Sequence, residues 1–479
     1  KSCPFFHLTS LNLDYNELTS LDASALPANL QTLSVAYNQL KKAPLRLIET
    51  MKDLVWVSLQ GNSIKDIPQH TFKTRKNLEK LDLSENAIEE LPNNLFNGSI
   101  TIRDLNLAFN NLKTLLPQTF RGLSVSRLYL PRNQLENLDD RAFVGIAVTH
   151  LKKLKFLYMS SNRIPSVDDS AFDSFAPSLK AISLSGNQLT SIPSGALRPC
   201  RKLLHLNLGY NQITDLNETN FEVWAGHLDT LVLRNNKIVH IPPHTFRNTP
   251  RLRELSLSFN KIVDVDLDAF VDLAECLQSL EISFGLFQEE FPDIFLKPLT
   301  SLLWLALDNN NFHTINSHSL RTFSLLQYLN LDSNRISALP SGLMFLDVPL
   351  LTRLNVAFNR LTILSNYKEL FHYVRKLRKL DLSSTGLKQV PPLPLPDLKV
   401  LCLSDNLINS VPSSNVENLQ QLRYLHFDRN QFVSVPSHVW PALPRLKFLN
   451  ISVPKFPPIK CLFLRNVMNT FLEIFRNFR

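Results

Sequence analysis

Aliphatic residues recur along the chain in the pattern L-x-x-L-x-L-x-x-N-x-L, at spacings of mostly 24 or 25 residues. One copy places Leu78, Leu81 and Leu83 before Asn86 and Ile88. The central L-x-L has the two-residue period of a β-strand, which turns both leucines inward and the residue between them outward. Nineteen copies align. Because one copy cannot bury its leucines alone, the pattern predicts stacked copies with one short parallel strand each.

Two further positions of the repeat are interpreted as structural. Sixteen copies carry Asn, and the other three carry Gly285, Thr385 and Pro454 in its place. A buried Asn side chain can bond the backbone of the turn that leaves the strand, so stacked copies would form an Asn ladder. A Phe follows about ten residues after the Asn and would stack into a buried spine. These residues are Phe72, Phe96, Phe120, Phe143, Phe172, Phe221, Phe246, Phe270 and Phe295.

Over residues 8–456 this pattern resembles the extracellular leucine-rich-repeat proteins of the 24-residue type. The long regular run with few insertions is most similar to the chaoptin-like cell adhesion proteins, and Toll-type receptors and proteoglycan-like proteins are also similar. The resemblance implies an α/β solenoid, a leucine-rich-repeat horseshoe with a concave parallel β-sheet and a mostly irregular convex side. Residues 1–456 would form an array of about 19 repeats.

Two segments depart from the repeat. Residues 457–479 form an atypical C-terminal segment whose apolar residues follow helical spacing. This segment is interpreted as a helical cap or a non-native end, with a basic membrane-surface helix as the alternative. The spacing from Asn133 to Asn162 is 29 residues, and removing Ile146 to His150 would restore 24. These five residues are either a small convex loop or an artefact of sequence assembly.

Composition narrows the function classes. The chain has 11 Gly in 479 residues, which argues against glycine-dependent phosphate loops. The sequence contains no G-x-S-x-G, no G-x-x-x-x-G-K-[ST], no H-E-x-x-H and no G-x-G-x-x-G motif. The net charge of +9 is spread along the chain, without a Lys/Arg stripe that alternates with aromatic residues. We therefore expect no enzyme activity, no cofactor, no metal and no nucleic-acid partner.

The cysteines and the chain ends indicate a fragment of a longer array, with caps that lack cysteine as the alternative. The five cysteines (3, 200, 276, 402 and 461) show no C-x-x-C pair, and the strands of Cys200 and Cys276 are predicted to lie too far apart for a disulfide. Extracellular relatives usually carry cysteine clusters that flank the repeats, whereas Cys3 and Cys461 stand alone. No run of about 18 apolar residues is present. Membrane attachment would therefore come through a missing C-terminal part.

Two Asn-x-Ser/Thr triplets favour an extracellular or cell-surface location. Asn97-Gly98-Ser99 and Asn217-Glu218-Thr219 both lie on connections away from the strands. Such sites accept N-linked glycans in secreted proteins, although the triplets also occur by chance in an Asn-rich chain.

The residues between the inward leucines define the candidate binding face. Most are small or polar, but two adjacent repeats are predicted to expose Arg127, Tyr129, Arg132, Phe156 and Tyr158 together. Tyr and Arg are enriched in interface hot spots. A second candidate joins Trp304 and Tyr328, with Asp308 and Asp332 beside them. The alternative is that these side chains only pack against one another across strands. The aromatic residue before the Asn, as in Phe109 and Phe259, recurs too regularly to indicate a site.

The sequence thus predicts a cell-surface or secreted protein that binds other proteins, in cell adhesion above all. The basic first group and the acidic second group are complementary in charge, which would permit head-to-tail or antiparallel binding between copies of the chain. Two alternatives stay open. The chain could be the ligand-binding ectodomain of a Toll-like receptor, or an intracellular inhibitor or scaffold.

Overall fold

The computed structural model describes residues 7–44, 49–69, 72, 77–93, 95–96, 100–138, 143, 153–340, 342–361, 367–432 and 437–451. The chain divides into two compact units. The first consists of Lys1–Asn260 and Asp264–Cys276, and the second of Lys261–Val263 and Leu277–Arg479. The predicted atypical segment 457–479 and the residues from Ile146 to His150 lie outside the described residues.

In the first unit each repeat contributes one short strand to a parallel sheet. In chain order the strands are β1 (Ser10–Asn12), β2 (Thr32–Ser34), β3 (Trp56–Ser58), β4 (Asn77–Asp82), β5 (Thr101–Asn106), β6 (Ser124–Tyr129), β7 (Phe156–Tyr158), β8 (Ala181–Ser183), β9 (His205–Asn207), β10 (Thr230–Val232), β11 (His240–Ile241), β12 (Glu254–Ser256) and β13 (Asp264–Val265). Strands β1 to β10 and β12 pair in sequence order, and β11 pairs separately with β13.

The second unit repeats this arrangement. Its strands are β14 (Ser279–Glu281), β15 (Trp304–Ala306), β16 (Tyr328–Asn330), β17 (Arg353–Asn355), β18 (Lys379–Asp381), β19 (Val400–Cys402), β20 (Tyr424–His426) and β21 (Phe448–Asn450). Each pairs in parallel with the next, in the register of the repeat. The predicted fold class, a leucine-rich-repeat solenoid with a parallel sheet, is confirmed.

Connections between strands are mostly irregular, and the helices that the structure describes in full have six residues or fewer. The α-helices among them are Ser194–Leu197, Asp293–Leu296, Tyr367–Leu370 and Ser413–Val416. The 3-10 helices among them are Ala23–Ala25, Ala176–Ser178, Glu218–Phe221, Ala225–His227, Val271–Leu273, Gly342–Phe345 and Ser437–Ala442. Helices this short have little stability of their own, so packing on the leucine core holds them.

The core of each unit consists of the inward leucines and the predicted Phe spine. Leu83, Leu208 and Leu331 are buried, as the repeat pattern predicts. Successive Phe rings stack with centroid separations from 5.3 to 6.2 Å along Phe72, Phe96, Phe120 and Phe143. Cys200, Cys276 and Cys402 form no disulfide within the described residues. Burial raises the pKa of the Cys200 thiol to about 12, which makes it unreactive.

The repeat Asn connects adjacent turns of the solenoid. The Asn211 side chain donates to the carbonyl oxygens of Leu208 (2.9 Å) and Gly209 (3.2 Å) in its own repeat and of Leu184 (3.0 Å) in the preceding one. Its Oδ1 accepts from the backbone N–H of Leu189 (3.0 Å). One side chain therefore contacts four backbone groups, and it is the partner of the Leu189 N–H. The carbonyls of Leu184 and Leu208 also accept from the repeat residues Asn187 and Asn236, which confirms the ladder.

The residue before the repeat Asn adopts a left-handed backbone conformation. In the first unit φ lies between 53° and 69° at this position. The residues are Tyr15, Tyr37, Gly61, Glu85, Phe109, Arg132, Ser161, Gly186, Tyr210, Asn235 and Phe259. This conformation ends each strand and turns the chain away from the sheet. Several of the aromatic rings at this position are exposed, as in Phe109 and Tyr210.

Candidate functional site

Five side chains on β6, β7 and the turn after β6 form what we call the tyrosine patch: Arg127, Tyr129, Arg132, Phe156 and Tyr158. They lie on the open sheet face, the face whose side chains alternate with the buried leucines. Strand pairing places Arg127 beside Phe156 and Tyr129 beside Tyr158. The two tyrosine rings stack with centroids 4.8 Å apart and planes 10° apart. The structure thus brings the predicted aromatic residues together, but the prediction that Phe156 is exposed is wrong, because its ring is buried.

Arg127 is held by its neighbours on both sides. Its Nη1 donates to both carboxylate oxygens of Asp104 on β5, at 3.2 Å each. Its guanidinium carbon also lies 5.6 Å from the ring centre of Phe156, which is itself buried. The positive charge of Arg127 is therefore balanced by Asp104 within the chain. Arg127 mainly holds the side chains of the patch in place and adds little net charge to the surface.

Arg132 supplies the exposed charge of the patch. It occupies the left-handed position before Asn133, and its guanidinium carbon lies 5.0 Å from the ring centre of Phe109 on the preceding repeat. Within the described residues Arg132 has no carboxylate in ion-pair range. A cation resting on an exposed aromatic ring keeps its charge while losing conformational freedom.

Tyr129 and Tyr158 are half-buried, and each lies next to a smaller polar residue. Tyr129 neighbours Asn106, and Tyr158 neighbours Ser183. Because these neighbouring side chains are smaller than tyrosine, part of each tyrosine ring remains exposed to solvent. Burial raises the pKa of Tyr158 to about 12 and also raises that of Tyr129, so both hydroxyls are neutral donors at physiological pH.

Trp304 and Tyr328 form a second aromatic group in the second unit, which we call the tryptophan pair. Their rings stack with centroids 3.5 Å apart. Tyr328 is only 3% exposed and packs with buried Ala306, whereas Trp304 is half-buried. Burial, and then the charges of Asp308 and Glu281, raise the pKa of the Tyr328 hydroxyl. Trp304 is therefore the accessible member of this pair.

The acidic residues beside the tryptophan pair are bonded within the chain. Asp308 accepts hydrogen bonds from Ser283 (2.6 Å), Asn330 (2.8 Å) and Asn309 (2.8 Å). Asp308 and Asp332 are both buried. The two aspartates can therefore make the surface potential near Trp304 more negative, but their buried carboxylates offer few atoms for direct contact with a partner.

The predicted glycan acceptor Asn217 is exposed and locally ordered. It caps the Glu218–Phe221 helix, where its Oδ1 accepts from the Thr219 N–H (3.1 Å) and hydroxyl (2.6 Å). The Nδ2 atom, to which a glycan would be joined, has no protein partner among the described residues. The other predicted acceptor, Asn97, lies outside the described residues.

Sequence reasoning missed the partners that organise the tyrosine patch. Asp104 and Phe109 each lie about one repeat before the arginine they contact, a spacing that could have indicated them. In the described part of the chain, no group of three or more His, Cys, Asp or Glu side chains is arranged to hold a metal ion. No helix found there has the length and apolarity needed to cross a membrane.

Comparison with known proteins gives a consistent family. A model described as "Leucine rich repeat" matches residues 6–64, 52–99, 100–164, 124–189, 177–222, 226–283, 275–336 and 396–453. The chain is 33% identical to mouse opticin over a match that covers 31% of this chain and 47% of opticin. It is 27% identical to mouse podocan over a match that covers 36% of this chain and 33% of podocan. It is also 29% identical to chaoptin of Drosophila melanogaster over a match that covers 37% of this chain and 13% of chaoptin. The chain thus matches less than half the length of each of these curated relatives.

Solved structures show the same fold. A leucine-rich-repeat protein of Leptospira interrogans superposes with a TM-score of 0.62 at 22% identity, covering 93% of this chain and 96% of that one. Drosophila Toll, solved in complex with Spätzle, superposes with a TM-score of 0.61 at 19% identity, covering 87% and 61%.

The curated relatives are extracellular-matrix or cell-surface proteins. Their shared family is a protein-interaction scaffold and not a known enzyme family. The repeat register, the Asn ladder and the family match agree over most of the sequence, and the chain belongs to the leucine-rich-repeat family.

Proposed function

We propose that this chain is a cell-surface or secreted protein that binds other proteins through the tyrosine patch, and that its role is cell adhesion. The observation that carries the proposal is the half-exposed Tyr129–Tyr158 stack with Arg132 beside it, on a sheet face where neighbouring side chains are small and polar. Stacked tyrosines offer a rigid amphipathic surface that loses little conformational entropy on binding.

Adhesion between copies of the chain is the specific form of the proposal. The tyrosine patch carries the exposed charge of Arg132, and the tryptophan pair lies beside Asp308 and Asp332. Contact between the patch on one copy and Trp304 on another would place a cation near this acidic field. Such a contact joins two different surfaces, so it permits the head-to-tail or antiparallel arrangement predicted above.

A complementation experiment tests this arrangement. Cells displaying Tyr129→Ala, Tyr158→Ala and cells displaying Trp304→Ala should each fail to aggregate alone. Mixed together they should aggregate, because each population retains the surface that the other has lost. Tyr373→Ala is the matched control, since it removes a partly exposed tyrosine that lies outside the sheet.

Three outcomes would contradict parts of the proposal. Aggregation of the Tyr129→Ala, Tyr158→Ala cells alone would show that the patch is not the binding surface. Aggregation of the Trp304→Ala cells alone would remove the tryptophan pair from the contact. Unmodified cells that fail to aggregate would contradict self-adhesion and favour the receptor alternative.

The proposed location is tested through the glycan acceptors. We expect secretion with glycans at Asn97 and Asn217, so glycosidase treatment should increase electrophoretic mobility. Thr219→Ala should remove the Asn217 glycan, whereas Thr219→Ser, which preserves the acceptor triplet, should keep it. Protein retained in the cytosol without a glycosidase-sensitive shift would overturn the extracellular assignment.

A further inference from the structure

Arg234 lies just beyond β10 on the open face of the first unit, between two exposed aromatic rings. Its guanidinium carbon is 5.4 Å from the ring centre of Tyr210 and 5.4 Å from that of Phe259, on the repeats to either side. Tyr210 is 48% exposed and Phe259 is 38% exposed. We call this stack the arginine sandwich. Both faces of the guanidinium are covered by rings, so a ligand can reach it only at its rim.

The turn after β9 lies close to the arginine stem. A Cβ atom at Gly209 would lie 3.1 Å from Cγ and 3.2 Å from the carbonyl oxygen of Arg234. Both separations are tighter than ordinary contacts of a Cβ atom, so any larger residue at Gly209 would push the arginine by a few tenths of an ångström. The guanidinium is thereby fixed in one place, and less rotamer entropy remains to be lost on binding.

Within the described residues the Arg234 guanidinium has no hydrogen-bond or ion-pair partner. Its Nε is buried between the rings without an acceptor, whereas its two terminal nitrogens are accessible. The nearby carboxylates, one before β10 and one on β12, are engaged elsewhere. Asp229 pairs with Arg253 at 3.6 Å, and Glu254 accepts from the Thr230 hydroxyl at 3.4 Å.

Another arginine of this fold shows what Arg234 lacks. Arg429 donates from two nitrogens to the two carboxylate oxygens of Asp405 and also contacts Asp428 at 3.1 Å. A planar guanidinium matches a planar carboxylate in this two-bond geometry. We propose that the arginine sandwich is a separate binding site for a carboxylate group of a protein ligand, held end-on by the terminal nitrogens of Arg234.

The surroundings favour a single carboxylate over a sulfated or phosphorylated polymer. The flanking face positions carry Asn207, Val232, Ser256 and Ser258, with Glu254 on the next strand. None of these adds a positive charge and one adds a negative charge, whereas polyanions gain affinity from several cations together. The exposed rings also offer apolar contact to the stem of an acidic side chain.

Arginine-selective ¹⁵N NMR of the intact chain tests the site, because a buried Nε–H exchanges slowly enough to give a resolved signal. The signal is assigned by its disappearance in Arg234→Lys. The probe is an N-acetylated, C-amidated tetraglutamate peptide, compared with its tetraglutamine analogue and a heparin-derived tetrasaccharide. We expect the glutamate peptide to shift the Arg234 signal saturably and the glutamine peptide to leave it unchanged.

Two variants and two outcomes make the test decisive. Arg234→Lys keeps the charge but loses the planar fork, so it should weaken peptide binding roughly tenfold or more, measured by calorimetric titration because this variant lacks the NMR signal. Gly209→Ala keeps the arginine but displaces it, and should also weaken binding. An Arg234 signal that does not respond to the glutamate peptide would overturn the site. A stronger response to the tetrasaccharide would replace the protein carboxylate by a sulfated sugar. Neither outcome depends on the tyrosine patch.

Discussion

The tyrosine patch and the tryptophan pair both stack aromatic rings on adjacent repeats, but the rings occupy different repeat positions and differ in exposure. Tyr129 and Tyr158 follow the first leucine of L-x-L, whereas Trp304 and Tyr328 precede it. In the patch, Tyr129 and Tyr158 stack at 4.8 Å and remain half-buried. In the pair, Tyr328 is buried against Trp304 at 3.5 Å and against Ala306. Aromatic residues on a repeat face therefore do not by themselves form a binding surface, because their exposure depends on their position in the repeat as well as on the side chains around them.

The charged residues near the two aromatic groups also differ in how far they are exposed. Asp104 balances Arg127 within the patch, which leaves Arg132 as the exposed charge. Beside the pair, Asp308 is buried and accepts three neutral donors. We infer that the patch is arranged for contact with a partner, whereas Tyr328 mainly stabilises its own repeat.

The largest expected difference between the two regions is in stability. Tyr328→Ala should cost about 3 kcal/mol or more, as is usual for truncating a buried aromatic side chain. Tyr129→Ala should cost about 1 kcal/mol, because the ring is half-exposed and loses mainly its cross-strand stacking. Hydrogen exchange of the strand amides in each repeat, with Tyr328→Phe as the ring-preserving control, measures both. Equal losses would contradict the comparison.

Substituting a repeat Asn of the ladder should have the next largest effect on the free energy of unfolding. Asn211→Ala removes the side chain that satisfies backbone groups of Leu184, Leu189, Leu208 and Gly209. We expect a loss of about 2 kcal/mol, and of more than about 1 kcal/mol in any case, because the buried Leu189 N–H is left unpaired and three carbonyls each lose one donor. Denaturant unfolding measures it. A variant that unfolds like the parent would show that the Asn ladder contributes little.

The framework could be predicted from sequence because each of its positions obeys a local rule. The two-residue period places Leu83 and Leu208 inside, and the need to satisfy a turn explains Asn211. Thr385 shows how the rule tolerates a departure, because its hydroxyl donates to the Leu382 carbonyl at 2.7 Å in place of an amide.

The exposure of the face could not be predicted in the same way. Whether Tyr328 is buried depends on the size and rotamer of Trp304, one repeat away, and the pattern does not encode this. The arginine sandwich was missed for a related reason. Phe259 belongs to a position that recurs regularly, and only the placement of Arg234 between two such rings distinguishes it.

Alkaline titration sharpens the comparison through smaller effects. The folded-state pKa of Tyr158 is raised from 10.0 to about 12, so its neutral form is favoured by folding. Its contribution to stability is complete below pH 10 and is lost as the pH rises toward 12. Phenolate absorbance should show that Tyr158→Phe removes a late titration step.

Burial also raises the pKa of Tyr328, so this tyrosine should ionise last and together with unfolding. Ionisation of Tyr328 before Tyr158 would reverse the assigned order of burial.

Affinity and stability measured together on Tyr129→Ala, Tyr158→Ala test the central claim most directly. The assay follows binding of the soluble chain to a surface that carries the same chain, alongside thermal unfolding of each variant. We predict a loss of about 2 kcal/mol or more in binding, roughly thirtyfold in affinity, as expected for a hot spot. The melting temperature should change by only about 2 °C. Unchanged affinity, or a loss that only follows unfolding, would contradict the claim that the tyrosine patch is a binding surface.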